Sequence, residues 1–251
     1  MEKSEYEKKL LLSKCEDLSK RAKKSGEALF SAFLDPSERA YIKRNLKAPA
    51  GVEYDFSGGF PDAERSMFFA HPDWEEDVSV PISAVLISSN GKEELTHRDF
   101  LGSVMGLGIS REVVGDILVK EENALVFLKE DIAEYIIYNL TSIGRARVKC
   151  SLYEGDLDEF IKKEVKEEAV NVSSLRLDCV IAGAYRVSRT VSSELVRQGR
   201  VKVNFEECFK NDLKLNDGDL ISVRGFGRIR YLGISGTSKK GRLYIDIERY
   251  V

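Results

Sequence analysis

Residues 188–204 read SRTVSSELVRQGRVKVN, and this stretch decides the fold of the last third of the chain. Ser188 carries a side-chain oxygen that suits the N-cap of a helix. Gly199 suits the left-handed position that follows a helix end. Between them Val191 and Leu195 recur at i and i+4, which is typical of one apolar helix face. The stretch therefore predicts a short amphipathic helix that ends at Gly199.

A row of cations lies on a different face of the same predicted helix. Arg189, Ser193 and Arg197 recur at i, i+4 and i+8, and Arg200 and Lys202 continue the basic series beyond the helix end. Such a row can follow a phosphate backbone, because each guanidinium offers forked donors to phosphate oxygens. The alternative for any one of these residues is an ordinary solvated helix face. The row is therefore a candidate RNA-binding surface.

The residues before this stretch predict another helix. Ser174 is the expected N-cap of that helix. The apolar residues that follow recur at i, i+3, i+4 and i+7, and they are Leu177, Val180, Ile181 and Ala184. This spacing predicts one buried face on the helix that precedes the basic one.

The residues after the basic helix predict strands that add further cations. Apolar and polar residues alternate, so Ile221 and Val223 are expected to face a core while Arg224 faces solvent. Phe226 follows between two glycines that are expected to loosen the strand, and Arg228 continues the basic series. Basic side chains interleaved with an exposed aromatic ring suit single-stranded or looped RNA, whose bases stack on rings.

Charge is segregated along the chain. The 251 residues carry a net charge of -3, which taken alone argues against a nucleic-acid partner. Residues 172–251, however, contain 15 Lys and Arg against 9 Asp and Glu, so this segment carries about +6 and the remainder about -9. The C-terminal segment is therefore the expected contact with RNA.

The sequence shows no signal for export or for insertion into a membrane. Its N-terminus is charged, and no apolar run reaches the roughly 18 residues that a membrane span needs, so we expect a cytoplasmic protein. The cysteines stand far apart, without the close pairs that zinc or redox chemistry uses, and they are Cys15, Cys150, Cys179 and Cys208. The two histidines are distant from each other and from any cysteine pair. We therefore predict free thiols, no metal site and no cofactor.

The N-terminal segment, residues 1–72, is expected to form a mostly helical domain with a small hairpin. A helical periodicity opens it, and Asp35 followed by Pro36 predicts the start of a second helix that runs to about Lys47. Residues 52–56 read as a strand.

The middle segment, residues 78–160, predicts strands and helices in the order β-α-β-β-α-β. Asn90-Gly91 predicts a turn, Thr96 the cap of the first helix, and residues 121–123 the turn of a hairpin. This order is that of the ferredoxin-like fold, which RNA-recognition modules share with many unrelated proteins. The order by itself therefore says little about function.

The last domain boundary is expected in a charge-dense segment with few large apolar groups, residues 158–171. The third domain is then residues 172–251. The predicted fold class is α+β, with a helical N-terminal unit, a ferredoxin-like (RRM-like) middle domain and a C-terminal domain that carries the cations.

The C-terminal segment resembles the S4 RNA-binding domain. The resemblance lies, in order and at the spacing of that domain, in LRLD at 175–178, SR at 188–189, ELVRQGRVKVN at 194–204 and GDLISVRG at 218–225. It implies a compact module of a helix pair and strands that binds structured RNA such as rRNA or tRNA. The basic helix positions of S4 domains fall on Arg189, Arg197 and Arg200, and Arg176 joins them.

The chain as a whole resembles the bacterial YlmH family, through FSGGFPDAER at 56–65, THRDFLGSVMGLGI at 96–109 and GDILV at 115–119. The resemblance implies a ribosome-associated RNA-binding protein, encoded among cell-division genes and linked to quality control of stalled large subunits that hold peptidyl-tRNA. The expected partners are rRNA or tRNA, the large ribosomal subunit and cell-division proteins. Arg98 in the middle domain is a hypothetical second, weaker RNA contact. The full predicted RNA-binding set is Arg98, Arg176, Ser188, Arg189, Arg197, Arg200, Lys202, Arg224 and Arg228.

No catalytic residue is predicted, although two motifs resemble those of enzymes. Arg176-Leu177-Asp178 resembles the core of pseudouridine synthases, whose Asp is the nucleophile, but no further catalytic domain follows it. Residues 57–60 resemble the glycine loop of S4-linked rRNA methyltransferases, but the repeating strand-helix pattern of their parallel sheet is absent. Two alternatives stay open: an RNA-modifying enzyme, and a cell-division adaptor that uses the acidic N-terminal two-thirds.

Overall fold

The computed structural model describes residues 5–89, 94–161, 165–238 and 241–250. The chain divides into two compact units between residues 161 and 162, here named unit 1 and unit 2. The expected domains 1–72 and 78–160 therefore both lie in unit 1. The turn predicted at Asn90-Gly91 lies outside the described residues.

Unit 1 contains the following elements. Its helices are α1 (Glu5–Ser25), α2 (Pro36–Asn45), α3 (His97–Gly106), α4 (Glu130–Asn139) and the short α5 (Asp158–Ile161). Its strands are β1 (Leu29–Leu34), β2 (Val52–Ser57), β3 (Ser66–Pro72), β4 (Ile82–Ser89), β5 (Val114–Lys120), β6 (Asn123–Lys129), β7 (Ser142–Ile143) and β8 (Ala146–Leu152). A 3-10 turn at Arg111–Val113 precedes β5.

The N-terminal half of unit 1 is an antiparallel sheet with α1 packed against it. The strand order is β1-β3-β2, so β3 is central and each of its residues is buried. The cap of α2 forms as predicted: the Glu38 N–H donates to the Asp35 carboxylate at 2.9 Å, and the Asp35 N–H donates to the Glu38 carboxylate at 2.7 Å. Helix α2 ends at Asn45, slightly before the predicted Lys47. The sheet holds one strand, β1, beyond the expected hairpin.

The middle part of unit 1 confirms the predicted ferredoxin-like order. The sheet runs β5-β6-β4-β8-β7 with antiparallel pairing, so the first and third strands of the fold lie side by side at its centre. Helices α3 and α4 pack on one face over a fully buried cluster that includes Val85, Ile87, Phe100, Val126 and Ile136.

The opposite face of this sheet is covered by the chain itself. Leu125 and Phe127 alternate with the residues that face the helices, yet they are only 0% and 1% exposed. The Phe60 ring centroid lies 4.6 Å from that of Phe127. A Cβ built at Gly115 would lie 2.8 Å from the Phe33 ring, so β1 also packs closely here. Residues of the N-terminal half therefore complete the core of the middle sheet.

Gly58→Ala should destabilise unit 1, because the structure leaves no space for a methyl group there. A Cβ at Gly58 would lie 2.3 Å from the Ala63 Cβ and 2.4 Å from the Arg65 carbonyl oxygen. The second atom belongs to the backbone, so relief requires main-chain movement. We expect the free energy of unfolding, measured by chemical denaturation, to fall by about 2 kcal/mol.

The matched control for this substitution is Gly102→Ala in α3. No heavy atom lies within 4 Å of a Cβ built there, and removing a glycine from a helix interior should raise the free energy of unfolding by about 1 kcal/mol. If both substitutions changed stability equally, the packing role of Gly58 would be wrong.

Unit 2 contains helices α6 (Leu177–Ala184) and α7 (Arg189–Arg197). Its strands are β9 (Val165–Val172), β10 (Val201–Val203), β11 (Glu206–Glu207), β12 (Leu220–Val223), β13 (Gly227–Thr237) and β14 (Leu243–Tyr250). They form one antiparallel sheet in the order β11-β10-β12-β13-β14-β9, and both helices pack on it around a common core. Ile221 and Val223 face this core, as predicted.

The expected domain start at residue 172 is too late. Strand β9 pairs along its length with β14, and it occupies the second half of the charge-dense segment 158–171. As the edge of the sheet it buries only Val170 and Val172, so its other positions tolerate charge. The division between the units after residue 161 thus lies inside the predicted boundary segment, and the part of that segment from Val165 onward is an edge strand of unit 2.

Helix α6 begins later than predicted. Its N-cap is Arg176 and not Ser174, and its first residue is Leu177. The delay follows from the backbone before it, where Arg176 forms a β-bridge with Lys214. The predicted apolar face of the helix is buried as expected.

Helix α7 has its predicted ends but a different buried face. The Ser188 hydroxyl accepts from the Val191 N–H at 3.2 Å, and Gly199 has φ +67°. Val191 is 45% exposed, whereas Ser192 and Leu195 are buried. Ser192 takes the inner position because its hydroxyl donates to the Asp178 carbonyl of α6 at 2.8 Å.

Candidate nucleic-acid interface

Two of the predicted arginines are held by one carboxylate. Asp178 is 2% exposed, in the first turn of α6. Its carboxylate accepts from Arg176 Nε at 3.1 Å and Nη2 at 3.3 Å, and from Arg189 Nε at 3.1 Å. The side chains of Arg176 and Arg189 remain 39% and 58% exposed. Asp178 thus fixes their direction, while each still presents part of its guanidinium to solvent.

The ionised state of Asp178 depends on these arginines. Burial opposes its ionisation, but hydrogen bonds from Arg176, Arg189 and Cys179 outweigh burial and hold the pKa of the carboxyl below its ordinary value. Because Arg189 belongs to α7, the anion also joins the two helices. Asp178 is a structural link between the basic residues.

The other predicted residues of α7, Ser188 and Arg197, have their partners within the same helix. Arg197 is exposed and lies 3.7 Å from Glu194 on the same helix, a surface pair of small energetic value. The Ser188 hydroxyl is engaged in the helix cap. The predicted continuous row is therefore divided: Arg189 turns towards Asp178, and Arg197 lies in solvent.

Four other predicted residues line a single concavity of about 560 Å³, here named the basic cradle. They are Arg200, Lys202, Arg224 and Arg228. Among the described residues that line it, Glu207 is the acidic one. Neutral residues complete the wall, and they include Gly199, Ser222, Gly227 and Tyr250. Convergent cations in a concave surface can bind a phosphate group with several charge-assisted hydrogen bonds.

Local contacts position the cations of the cradle. Arg200 Nη2 donates to the Arg224 carbonyl oxygen at 2.9 Å. Arg228 Nε donates to the Ser222 hydroxyl at 3.2 Å, and its guanidinium lies 5.7 Å from the Phe205 ring centroid. These contacts fix the directions of the Arg200 and Arg228 side chains within the cradle.

The glycines around Phe226 form a hairpin turn between β12 and β13 and do not loosen a strand. Gly225 and Gly227 have φ +89° and +101°, values that favour glycine. Phe226 is 39% exposed, and its ring packs at 5.5 Å from that of Tyr185. Phe226 thus has a structural contact as well as an exposed edge.

An exposed ring at the rim of the cradle was missed by the sequence analysis. Phe209 is 59% exposed, and a Cβ built at Gly199 would lie 3.0 Å from its ring. Because Gly199 lines the cradle, Phe209 lies beside it and offers an exposed ring on which a base could stack. Residue 209 follows no alternation or helical period, so only the folded chain reveals its place.

Arg98, the predicted contact in unit 1, lies exposed in the first turn of α3. Beside it, burial and then the nearby Arg111 cation lower the pKa of His97. The Thr96 N–H donates to the Asp99 carboxylate at 2.8 Å, which fixes the start of the helix. Arg98 thus belongs to unit 1, whereas the other predicted RNA-binding residues belong to unit 2.

The motif residues 56–65 and 115–119 meet at the seam between the two halves of unit 1. The Asp116 carboxylate accepts from the N–H groups of Glu64 at 2.6 Å and Arg65 at 3.1 Å. The Arg65 guanidinium donates to the carbonyl oxygens of Val114 at 3.0 Å and Phe33 at 3.0 Å. These contacts give the glycine-containing motif a packing role.

The described residues contain no group of three or more His, Cys, Asp or Glu side chains arranged to hold a metal ion. Burial raises the pKa of Cys15 to about 12 and that of Cys150 to about 11, so neither thiol is activated. Within the described part of the chain, no helix has the length and apolar character that crossing a membrane requires.

Comparisons with known proteins match both halves of unit 1 and most of the chain. A family model described as "Putative RNA-binding domain in YlmH" matches residues 76–166, and one described as "YlmH, N-terminal" matches residues 7–74. The Bacillus subtilis (strain 168) protein named "Ribosome-associated protein quality control protein P2" is 34% identical over 224 residues, which cover 86% of this chain and 85% of the relative. The solved structure named "Cell division protein ylmH from Streptococcus pneumoniae" is similar with a TM-score of 0.53 and 28% identity, over 64% of this chain and 99% of that one.

Proposed function

The chain belongs to the YlmH family, and from this premise we propose that it is a cytoplasmic, non-catalytic protein that binds rRNA or tRNA at the ribosome. Unit 2 acts as an S4-type module and makes the main contact. The large ribosomal subunit is the proposed site of action, and a stalled subunit that holds peptidyl-tRNA is the proposed binding target.

The observation that carries this proposal is the basic cradle. Four cations, Arg200, Lys202, Arg224 and Arg228, line one concavity, and Glu207 is the acidic residue among the described residues that line it. Two more cations, Arg176 and Arg189, are oriented by Asp178. Fixed guanidinium groups on a compact unit suit a structured polyanion, because less side-chain freedom is lost on binding.

The place in quality control is supported by the relative from Bacillus subtilis, whose name states a ribosome-associated role. Its alignment spans most of both chains, so the likeness extends over both units. We propose that this chain acts in the same process, ribosome-associated quality control.

The surroundings of Asp178 support the non-catalytic part of the proposal. A nucleophilic carboxylate must reach its substrate, whereas this one is 2% exposed and accepts hydrogen bonds from two arginines on both oxygens. The RNA-modifying alternative would need another carboxylate.

A cell-division adaptor is the second candidate function. It is favoured by the name of the solved structure from Streptococcus pneumoniae and by the charge of residues 1–171, about -9, which suits a basic protein partner. Septal localisation that persists after loss of the basic cradle would support this candidate over ribosome binding.

The test of the proposed function is crosslinking of the tagged protein to RNA in cells, with sequencing of the recovered fragments. We expect enrichment of rRNA or tRNA fragments, and recovery no higher than from an untagged strain would contradict RNA binding. Mass spectrometry of rRNA from a deletion strain tests catalysis separately. A modification lost in that strain would show that the protein is an RNA-modifying enzyme.

A further inference from the structure

We propose that unit 1 makes a second RNA contact along strand β8, through Arg145, Arg147 and Lys149, and not on the central strands of its sheet. The inference rests on the proposed function, because it assigns a second surface to an RNA-binding protein. It concerns a different unit from the basic cradle.

The centre of the sheet is closed to RNA. RNA-recognition modules stack bases on aromatic rings of their central strands. The aromatic residue of the central strand β6 is Phe127, which is 1% exposed and lies beneath Phe60. At the far strand β5, the Lys120 ammonium lies 6.0 Å from the Phe160 ring centroid of α5. Side chains of the same chain thus cover the surface on which bases would stack.

The same face is basic at the opposite edge of the sheet, on β8. On β8 the exposed Arg147 and Lys149 alternate with the buried Ala146 and Val148, so both cations lie on the face away from α3 and α4. Arg145 is exposed in the turn that leads into the strand. Alternate residues of a strand lie about 6.6 Å apart, a repeat that suits successive phosphates of one RNA strand.

These cations are available to a ligand. Within the described part of the chain, none of the three side chains forms an ion pair or a hydrogen bond. Their neighbours across the sheet carry hydroxyls and not carboxylates: Ser142 is opposite Arg147, and Ser88 is opposite Lys149. Strand β7 pairs with the first two residues of β8, and the Val148 N–H donates to the Thr141 carbonyl oxygen at 3.0 Å, so among the described strands the edge beyond Val148 has no partner strand.

The occupant is RNA for two reasons. A regular row of cations matches the regular charge of a phosphate backbone, and β8 lies inside the residues that match the RNA-binding domain model of the family. An acidic polypeptide is the competing occupant, and the experiment distinguishes the two.

The experiment compares the full-length chain with the variant R145S/R147S/K149S. Binding to a mixed-sequence single-stranded RNA oligonucleotide is measured by fluorescence anisotropy over a range of salt concentrations. If each side chain neutralises one phosphate, the slope of log K against log salt should fall by about 2, at roughly 0.7 per contact, and the affinity at low salt by about a hundredfold, at about 1 kcal/mol per contact. The matched control is K20S/K23S/K24S, which removes three exposed charges from α1 and should change neither quantity.

Each outcome decides the inference. An unchanged slope for R145S/R147S/K149S, in a chain that otherwise binds RNA, would overturn the contact at β8 and leave the proposed function standing. Absence of RNA binding by the unmodified chain would overturn both. An unchanged RNA slope with lost binding of polyglutamate would identify an acidic protein as the occupant and overturn the inference. The variant R145K/R147K should keep the slope, which separates lost charge from lost folding.

Discussion

Replacing Arg200, Lys202, Arg224 and Arg228 together by Ala should lower the affinity for structured RNA by about a thousandfold at low salt. These side chains line one concavity, so they act on the same stretch of backbone. If each neutralises one phosphate, the slope of log K against log salt should fall by about 3, and a loss of about 1 kcal/mol per contact gives the affinity change. Titration of rRNA and tRNA transcripts at several salt concentrations measures both.

The control removes the same number of charges elsewhere. Lys14, Lys20, Lys23 and Lys24 are exposed on α1, and their replacement by Ala should leave the salt slope unchanged. If this control weakened binding as much as the cradle variant, net charge and not the cradle would explain RNA binding. If the cradle variant kept the original slope of log K against log salt, these residues would be ordinary solvated surface charges and not phosphate contacts.

Asp178→Ala should lower the free energy of unfolding of unit 2 by about 3 kcal/mol. The substitution leaves the Arg176 and Arg189 guanidiniums without their shared anion, and it removes the ionic link between α6 and α7. The carboxylate accepts charge-assisted hydrogen bonds from both arginines, and one such bond contributes roughly 1.5–3 kcal/mol. Urea denaturation followed by circular dichroism measures the change.

Glu194→Ala is the matched control, because it also removes a carboxylate that pairs with an arginine. Its side chain is 54% exposed and lies 3.7 Å from Arg197, so we expect a change of at most about 0.5 kcal/mol. Comparable effects of the two substitutions would show that Asp178 is no more than a surface charge.

The contribution of Asp178 should also depend on pH. Its folded pKa is lowered, so its stabilising contribution is complete above the unfolded pKa of about 4 and is lost as pH falls through the folded value. The difference in unfolding free energy between the unmodified chain and Asp178→Ala should therefore be constant near neutrality and shrink in acid. A difference that grew in acid would contradict the lowered pKa.

These two expectations separate the roles of neighbouring residues. The cradle residues should affect RNA affinity with little effect on stability, since their side chains lie at the surface of the concavity. Asp178 should affect stability first, and RNA affinity only through the direction of Arg176 and Arg189. If Asp178 were the nucleophile of a pseudouridine synthase, its replacement would abolish activity and leave the free energy of unfolding unchanged.

Features that depend on a few consecutive residues could be predicted from the sequence. Asp35 and Ser188 cap their helices because a side-chain oxygen reaches a backbone N–H within the next turn. Ile221 and Val223 face the core because a strand has a period of two. The β-α-β-β-α-β order followed from the same local signals.

Features that depend on distant contacts could not be predicted in this way. The row of Arg189 and Arg197 is divided because Asp178, on another helix, accepts from Arg189. The third domain was predicted to begin at residue 172, after strand β9, because the partner of β9, strand β14, lies some 80 residues away, as the pair Glu168 and Arg249 shows.

The sequence by itself determined which unit is basic, where most helices begin and end, and the strand order of the middle domain. Only the tertiary structure decided which side chains share a surface. Lys202 and Arg224 line one cradle, Arg189 pairs with Asp178, and Phe127 packs beneath Phe60. The physical reason is that periodicity and capping act within a turn or two of chain. The faces that meet are chosen by burial and charge pairing between residues far apart in sequence.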